Sequence, residues 1–117
     1  MSGKYHRGQQ PPKGARLESW KDTWRQVDTE RTWNLLEGVR KIARRHETTC
    51  AAISLAWLLH RPEVSTIIIG ARTVDQLHDN LKATDVKLAA QDLKELDDLS
   101  KPDWGYPYGF IERTESW

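Results

Sequence analysis

Arg72, Gln76 and Asn80 follow the apolar run Ser65-Thr66-Ile67-Ile68-Ile69 and Gly70 at spacings suited to holding an anion. A β-branched run ends in a glycine, an arginine comes two residues later, and Thr73 with Gln76 has the T-x-x-Q spacing of a capping box. That order predicts a strand, a loop and a helix start. Free backbone N–H groups and a guanidinium then converge on one spot, where negative charge is stabilised. At about 100° per residue, Gln76 and Asn80 form an i,i+4 pair on a stripe turned away from Val74, Leu77 and Leu81. The plain alternatives are a surface arginine, an ordinary capping-box glutamine and a solvated asparagine.

The elements that must position these residues follow from hydrophobic period and caps. Residues 1–27 carry three glycines and the Pro11-Pro12 pair without helical or strand period, which predicts a loop and poor core material. Asp28-Thr29-Glu30 supplies a cap and first-turn acid. Trp33, Leu35, Leu36, Val39, Ile42 and Ala43 then predict an amphipathic helix to about His46, whose basic end matches the helix dipole. Thr48 or Thr49 caps a second helix, Cys50 to about His60, apolar nearly all round and so expected to be buried on most sides. Ser65 to Ile69 reads as a parallel strand covered on both faces. A third helix is expected from Val74 to about Ala83 with Val74, Leu77 and Leu81 facing inward, and a fourth around Gln91 to Leu99. A Pro/Gly/Tyr-rich tail spans residues 101–117. A lone strand leaves both ladder edges unpaired, so either it pairs with another copy or the chain is a piece of a larger sheet.

At 117 residues the chain is one domain or part of one. Apolar residues make up 38% of it, and Lys+Arg (18) against Asp+Glu (17) give a net charge of +1 with interleaved signs. The mean hydropathy is −0.75. A nucleic-acid surface would show a basic excess on one segment, which is missing. One cysteine, Cys50, makes an internal disulfide impossible and fits a reducing, cytoplasmic setting. No apolar stretch approaches the roughly 18 to 20 residues of a membrane span. His6, His46, His60 and His78 have no metal-ligand spacing, so no metal site is expected.

Ala51-Ala52-Ile53-Ser54-Leu55-Ala56-Trp57-Leu58-Leu59, the run with Gly70-Ala71-Arg72-Thr73 and Gln76 to Asn80, and Tyr106-Pro107-Tyr108 together resemble the C-terminal third of the aldo-keto reductases. Ser2-Gly3-Lys4-Tyr5 and the loop from Arg7-Gly8 to Arg16 are similar to the segment after that family's seventh barrel strand. The resemblance implies an α/β fold, the C-terminal portion of a (β/α)8 TIM barrel. Residues 1–28 would be the loop after strand seven, 29–100 the helices and strand eight (65–69), and 101–117 the tail. Phosphate sites in such barrels are built after strands seven and eight.

The resemblance further implies NADP as cofactor. Arg72 would pair the 2′-phosphate, Gly70 and the Ala71 backbone would allow close approach, and Gln76, Asp79 and Asn80 would hold the adenosine end. Lys4 and Arg16 match basic loop positions that close over the pyrophosphate, with a solvated basic loop as the plain alternative. An arginine at this place favours NADP over NAD, because the extra dianion is the difference to be bound. The family's Asp, Tyr, Lys and His tetrad lies in the first half of its barrel, and Lys4-Tyr5-His6, Tyr106 and Tyr108 match none of it. No catalytic residue is therefore expected here, and Met1 stands where the family continues from a glycine-rich segment, as in a fragment.

The intact barrel would take a small carbonyl substrate; this chain alone would be inactive, since a barrel needs about 250 residues. Exposed barrel-facing surfaces also predict self-association or partial disorder, most of all in residues 1–28. The rival reading is a non-catalytic nucleotide-binding or helical interaction protein. A helix-turn-helix built on Cys50 to His60 is disfavoured by near-neutral charge and by that segment's all-round apolarity. Trp20, Trp24, Trp104 and Trp117 are read as loop residues, candidates for lining a substrate pocket.

Overall fold

Three threonines start three of the helices by the same device: a hydroxyl that accepts an otherwise orphaned N–H of the first turn, worth about 1 kcal/mol each. Thr29 accepts from Thr32 N at 3.2 Å, Thr49 from Ala52 N at 3.1 Å and Thr73 from Gln76 N at 3.2 Å. The structure, a computed structural model, describes residues 3–102 together with 107, 111 and 114. Its helices are α1 (Lys21–Val27), α2 (Glu30–Arg45), α3 (Cys50–Leu59), α4 (Val74–Leu81) and α5 (Ala90–Ser100), with 3-10 turns at Arg16–Glu18 and Lys82–Thr84.

The main core lies between α2, α3 and α5. Val39, Ile42 and Ala43 from α2 meet Ile53 and Ala56 from α3, closed by Ala83, Leu88 and Leu96. These positions recur at helical spacing on α2, as the apolar stripe predicts. The end of the Leu99 side chain of α5 lies over Gly38 of α2, in space that a Cβ there would take. Helix α2 ends in a Schellman motif, with Thr48 N donating to Ala43 O at 2.9 Å and Glu47 N to Arg44 O at 3.2 Å. Glu47 occupies the left-handed position of that motif, at φ +50°.

Side chains join α5 to its neighbours. Asp92 is 2% exposed and binds Arg45, His46 Nε2 at 2.8 Å and the Ala89 N–H at 3.2 Å. Burial alone would raise its pKa, but these hydrogen bonds and the charges of Arg45 and His46 outweigh it, and the carboxyl is held below its ordinary range. Trp57 Nε1 donates to Asp97 at 2.7 Å, and Arg61 pairs with Asp97 while lying 4.7 Å over the Trp57 ring. Arg31 donates to the Ser100 and Lys101 carbonyls, satisfying the end of α5.

Several expectations are corrected. No strand forms among the described residues, so the parallel strand at 65–69 is absent. An extended run becomes a strand only through ladder partners, and no described segment pairs with this one. Ile68 is accordingly 97% exposed. The stripe of α4 faces outward although α4 contacts α3, with Val74 68%, Leu77 42% and Leu81 48% exposed. Helix α4 also stops at Leu81, and a 3-10 turn takes in Ala83.

Residues 1–28 are not loop throughout. Their second half forms the Arg16–Glu18 turn and α1, and Trp24 of α1 packs with Trp33 and Leu36 into a second buried cluster. Trp24 is thus core rather than loop. Helix α3 buries one face, Ala52, Ile53 and Ala56, and leaves Leu59 exposed. The tail motif at Tyr106 and Tyr108, with Trp104 and Trp117, lies outside the described residues. No described helix is long and apolar enough to cross a membrane.

Candidate functional site

The start of α4 is built as its sequence dictates, with one change in the wiring. Thr73 caps the first turn, but Gln76 Oε1 accepts from the N–H of Arg72 at 2.9 Å, one residue before the cap. The side-chain and backbone bonds together fix the loop from Arg72 to Gln76. The Arg72 guanidinium is left exposed, with no hydrogen bond or ion pair to any described residue.

The eight residues read from the sequence as cofactor contacts border two clefts that share Lys4, Gly70 and Gln76. Lys4, Arg16, Gly70, Ala71, Arg72 and Gln76 line an open cleft of about 570 Å³, with Tyr5 and Leu17. An adjoining cleft of about 410 Å³ is lined by Lys4, Gly70, Gln76, Asp79 and Asn80, with Ala51 at the start of α3. Three cations, Lys4, Arg16 and Arg72, border the larger cleft, and among the described residues none of them has a carboxylate partner. Asp79 is half-buried and pairs with Lys82 at 3.1 Å. Such a concentration of unneutralised positive charge attracts an anion.

Opposite α4, the cleft wall is a strap of irregular chain. Gly3 has φ +78°, which favours glycine, and a Cβ there would lie 3.1 Å from Cys50 Sγ, so the strap runs tight against the start of α3. The Tyr5 ring lies 5.6 Å from that of Trp24, and Lys4 Nζ lies 5.2 Å over Tyr5. Arg40 of α2 donates to the carbonyls of Tyr5 at 2.7 Å and Gly3 at 3.2 Å. Tyr5, Leu17 and Ala51 escape a sequence reading directed at charge. Arg40 escapes it too, because a side chain bound to distant carbonyls leaves no mark in spacing. Among the described residues no group of three His, Cys, Asp or Glu side chains could hold a metal ion.

Comparison with known proteins bears on this geometry. The model of the aldo/keto reductase family matches residues 1–101. A norsolorinic acid reductase of Emericella nidulans is 35% identical over 61% of this chain and 18% of its own length. A putative voltage-gated potassium channel subunit beta of Schizosaccharomyces pombe is 35% identical over 85% of this chain and 30% of its own. A putative aryl-alcohol dehydrogenase of Saccharomyces cerevisiae is 29% identical over 85% and 34% respectively. The chain thus spans about a third or less of these curated relatives. With the family model covering most of its residues, the chain belongs to the aldo/keto reductase family.

Proposed function

We propose that this chain is the C-terminal, NADP-holding part of an aldo/keto reductase. Family membership implies a TIM barrel and a nicotinamide cofactor. The observation that carries the reading is the cleft itself, where Lys4, Arg16 and Arg72 meet without a carboxylate partner among the described residues. A guanidinium binds a phosphate through two parallel hydrogen bonds, so Arg72 is assigned the 2′-phosphate that separates NADP from NAD. Gly70 and Ala71 give the backbone close access, and Lys4 and Arg16 take the pyrophosphate. Gln76, Asp79 and Asn80 border the adjoining cleft, where amide and carboxylate groups suit the donor and acceptor edges of adenosine.

In the intact barrel the bound cofactor supplies the hydride for carbonyl reduction, or accepts it in alcohol oxidation. The residues present here bind and orient; none matches the family's proton-donating tetrad. The single half-buried thiol of Cys50 accords with a reducing, cytoplasmic setting. Titration of the purified 117-residue chain with NADPH, followed by cofactor fluorescence, should give saturable binding without turnover of carbonyls. Absence of binding up to millimolar NADPH would overturn the reading, and turnover would overturn its catalytic half.

A second reading is favoured by relatives whose names are those of putative or probable potassium channel beta subunits. In it the cleft holds the nucleotide for regulation. Attaching the upstream barrel restores turnover under the first reading and does not under the second.

A further inference from the structure

The strap from Gly3 to Gln10 carries Lys4 to the cleft yet has no regular structure of its own. We propose that Arg40 is a positioning residue of this cleft: by gripping the two carbonyls that flank Lys4, it fixes that lysine at the phosphate wall. The inference rests on reading the cleft as a phosphate site.

Arg40 donates from one guanidinium nitrogen to Gly3 O at 3.2 Å and to Tyr5 O at 2.7 Å, and the contact is partly buried. Lys4 is the residue between. Among the described residues Arg40 forms no ion pair, whereas Arg45 on the same helix is paired with Asp92 and Glu95. Its charge is therefore spent on two backbone carbonyls, bonds stronger than those between neutral groups.

The rest of the strap's geometry converges on the same residue. Gly3 lies against Cys50 where a Cβ would be 3.1 Å from the sulfur, and the Tyr5 ring rests on Trp24. Lys4 Nζ lies 5.2 Å over the Tyr5 ring and has no hydrogen bond or ion pair among the described residues, so its place at the cleft is inherited from the backbone on either side. Binding a phosphate through a lysine on a loose strap costs backbone as well as side-chain freedom, and holding the backbone in advance removes the backbone part. Arg7, the strap's own arginine, bonds Glu30, Asn34 and Glu37 beyond Tyr5 and leaves Lys4 to Arg40.

Two measurements on the full chain test this. Trypsin cleavage after Lys4 reads the local opening of the strap. Arg40→Gln should speed that cleavage about tenfold while cleavage within the folded helices keeps its rate. NADPH titration reads the consequence: Arg40→Gln should weaken binding about tenfold, the loss of one charge-assisted hydrogen bond. In a Lys4→Ala background the same change should have no further effect, since Arg40 acts through Lys4.

Arg40→Lys keeps the charge on a side chain one bond shorter, which cannot reach both carbonyls in the same geometry, and should fall between wild type and Arg40→Gln. It also carries the test should Arg40→Gln unfold, which would show as faster cleavage everywhere. Unchanged cleavage after Lys4, or equal weakening with and without Lys4, overturns the proposal. If the wild type binds no NADPH, the functional reading falls, and the cleavage rate alone decides whether Arg40 holds Lys4.

Discussion

Gln76 Oε1 accepts the backbone N–H of Arg72 at 2.9 Å, so the amide preceding the helix cap is already satisfied by the protein. The glutamine thereby holds the loop that carries Arg72 while its own amide group remains at the rim of both clefts. A carboxylate would make the same bond to the amide and place a negative charge beside the cations. Gln76→Glu should leave the urea midpoint within the error of wild type and weaken NADPH about tenfold, corresponding to ~1.4 kcal/mol. Undiminished affinity in a fluorescence titration would remove Gln76 from the anion's surroundings.

Arg72→Ala tests the cofactor choice. The guanidinium is exposed and makes no described contact, so stability should change by less than about 0.5 kcal/mol. Binding of NADPH should fall by about 1.5–3 kcal/mol, ten- to a hundredfold or more, with NADH almost unaffected. Equal losses for both cofactors would deny Arg72 the 2′-phosphate.

Acid stability should report Asp92. Its native pKa is depressed, so its contribution is present above the unfolded value of about 3.9 and is lost as pH falls through the native one. Melting temperature should therefore drop more steeply below about pH 4 in wild type than in Asp92→Ala. At pH 7 that variant should lose about 3 kcal/mol, the low end for breaking a buried pair, because Arg45 is half-exposed and can be rehydrated. Parallel acid profiles for the two proteins would contradict the assignment.

Glu47 sits at φ +50° at the end of α2, where glycine carries no steric penalty. Glu47→Gly should raise stability by about 1 kcal/mol, measured by urea unfolding. A loss would mean that the left-handed turn is not what terminates the helix.

Ile68 and the Val74, Leu77 and Leu81 stripe of α4 are exposed apolar side chains. Sedimentation velocity should find the chain self-associating, and Ile68→Lys should shift it toward monomer. A wild-type monomer across a hundredfold range of concentration would refute this.

What the sequence disclosed was what local chemistry decides. Threonine caps and the 3.6-residue period placed α2 to α5 to within a turn or so, and the Gly70 to Asn80 pattern marked one wall of the cleft. What it concealed depends on partners elsewhere. Ser65 to Ile69 has the composition of a strand, but a ladder needs a second segment. Val74, Leu77 and Leu81 have the spacing of a buried stripe, but burial needs something to cover it. Helix α1 was hidden because seven residues, with Trp24 and Val27 as its apolar contacts, are too short to show a period beside so many glycines and prolines. Arg40 was unreadable because its acceptors are carbonyls, which every residue possesses.

The cleft joins the strap to the loop before α4, parts of the chain about 70 residues apart, so a ligand held across it would act as a removable cross-link. Like a covalent bridge, it would tether two distant points, but its strength would be set by the ligand's concentration relative to its Kd. The nucleotide would then be a structural component of the very segment that binds it, and the resistance of the strap to proteolysis would rise and fall with the supply of cofactor.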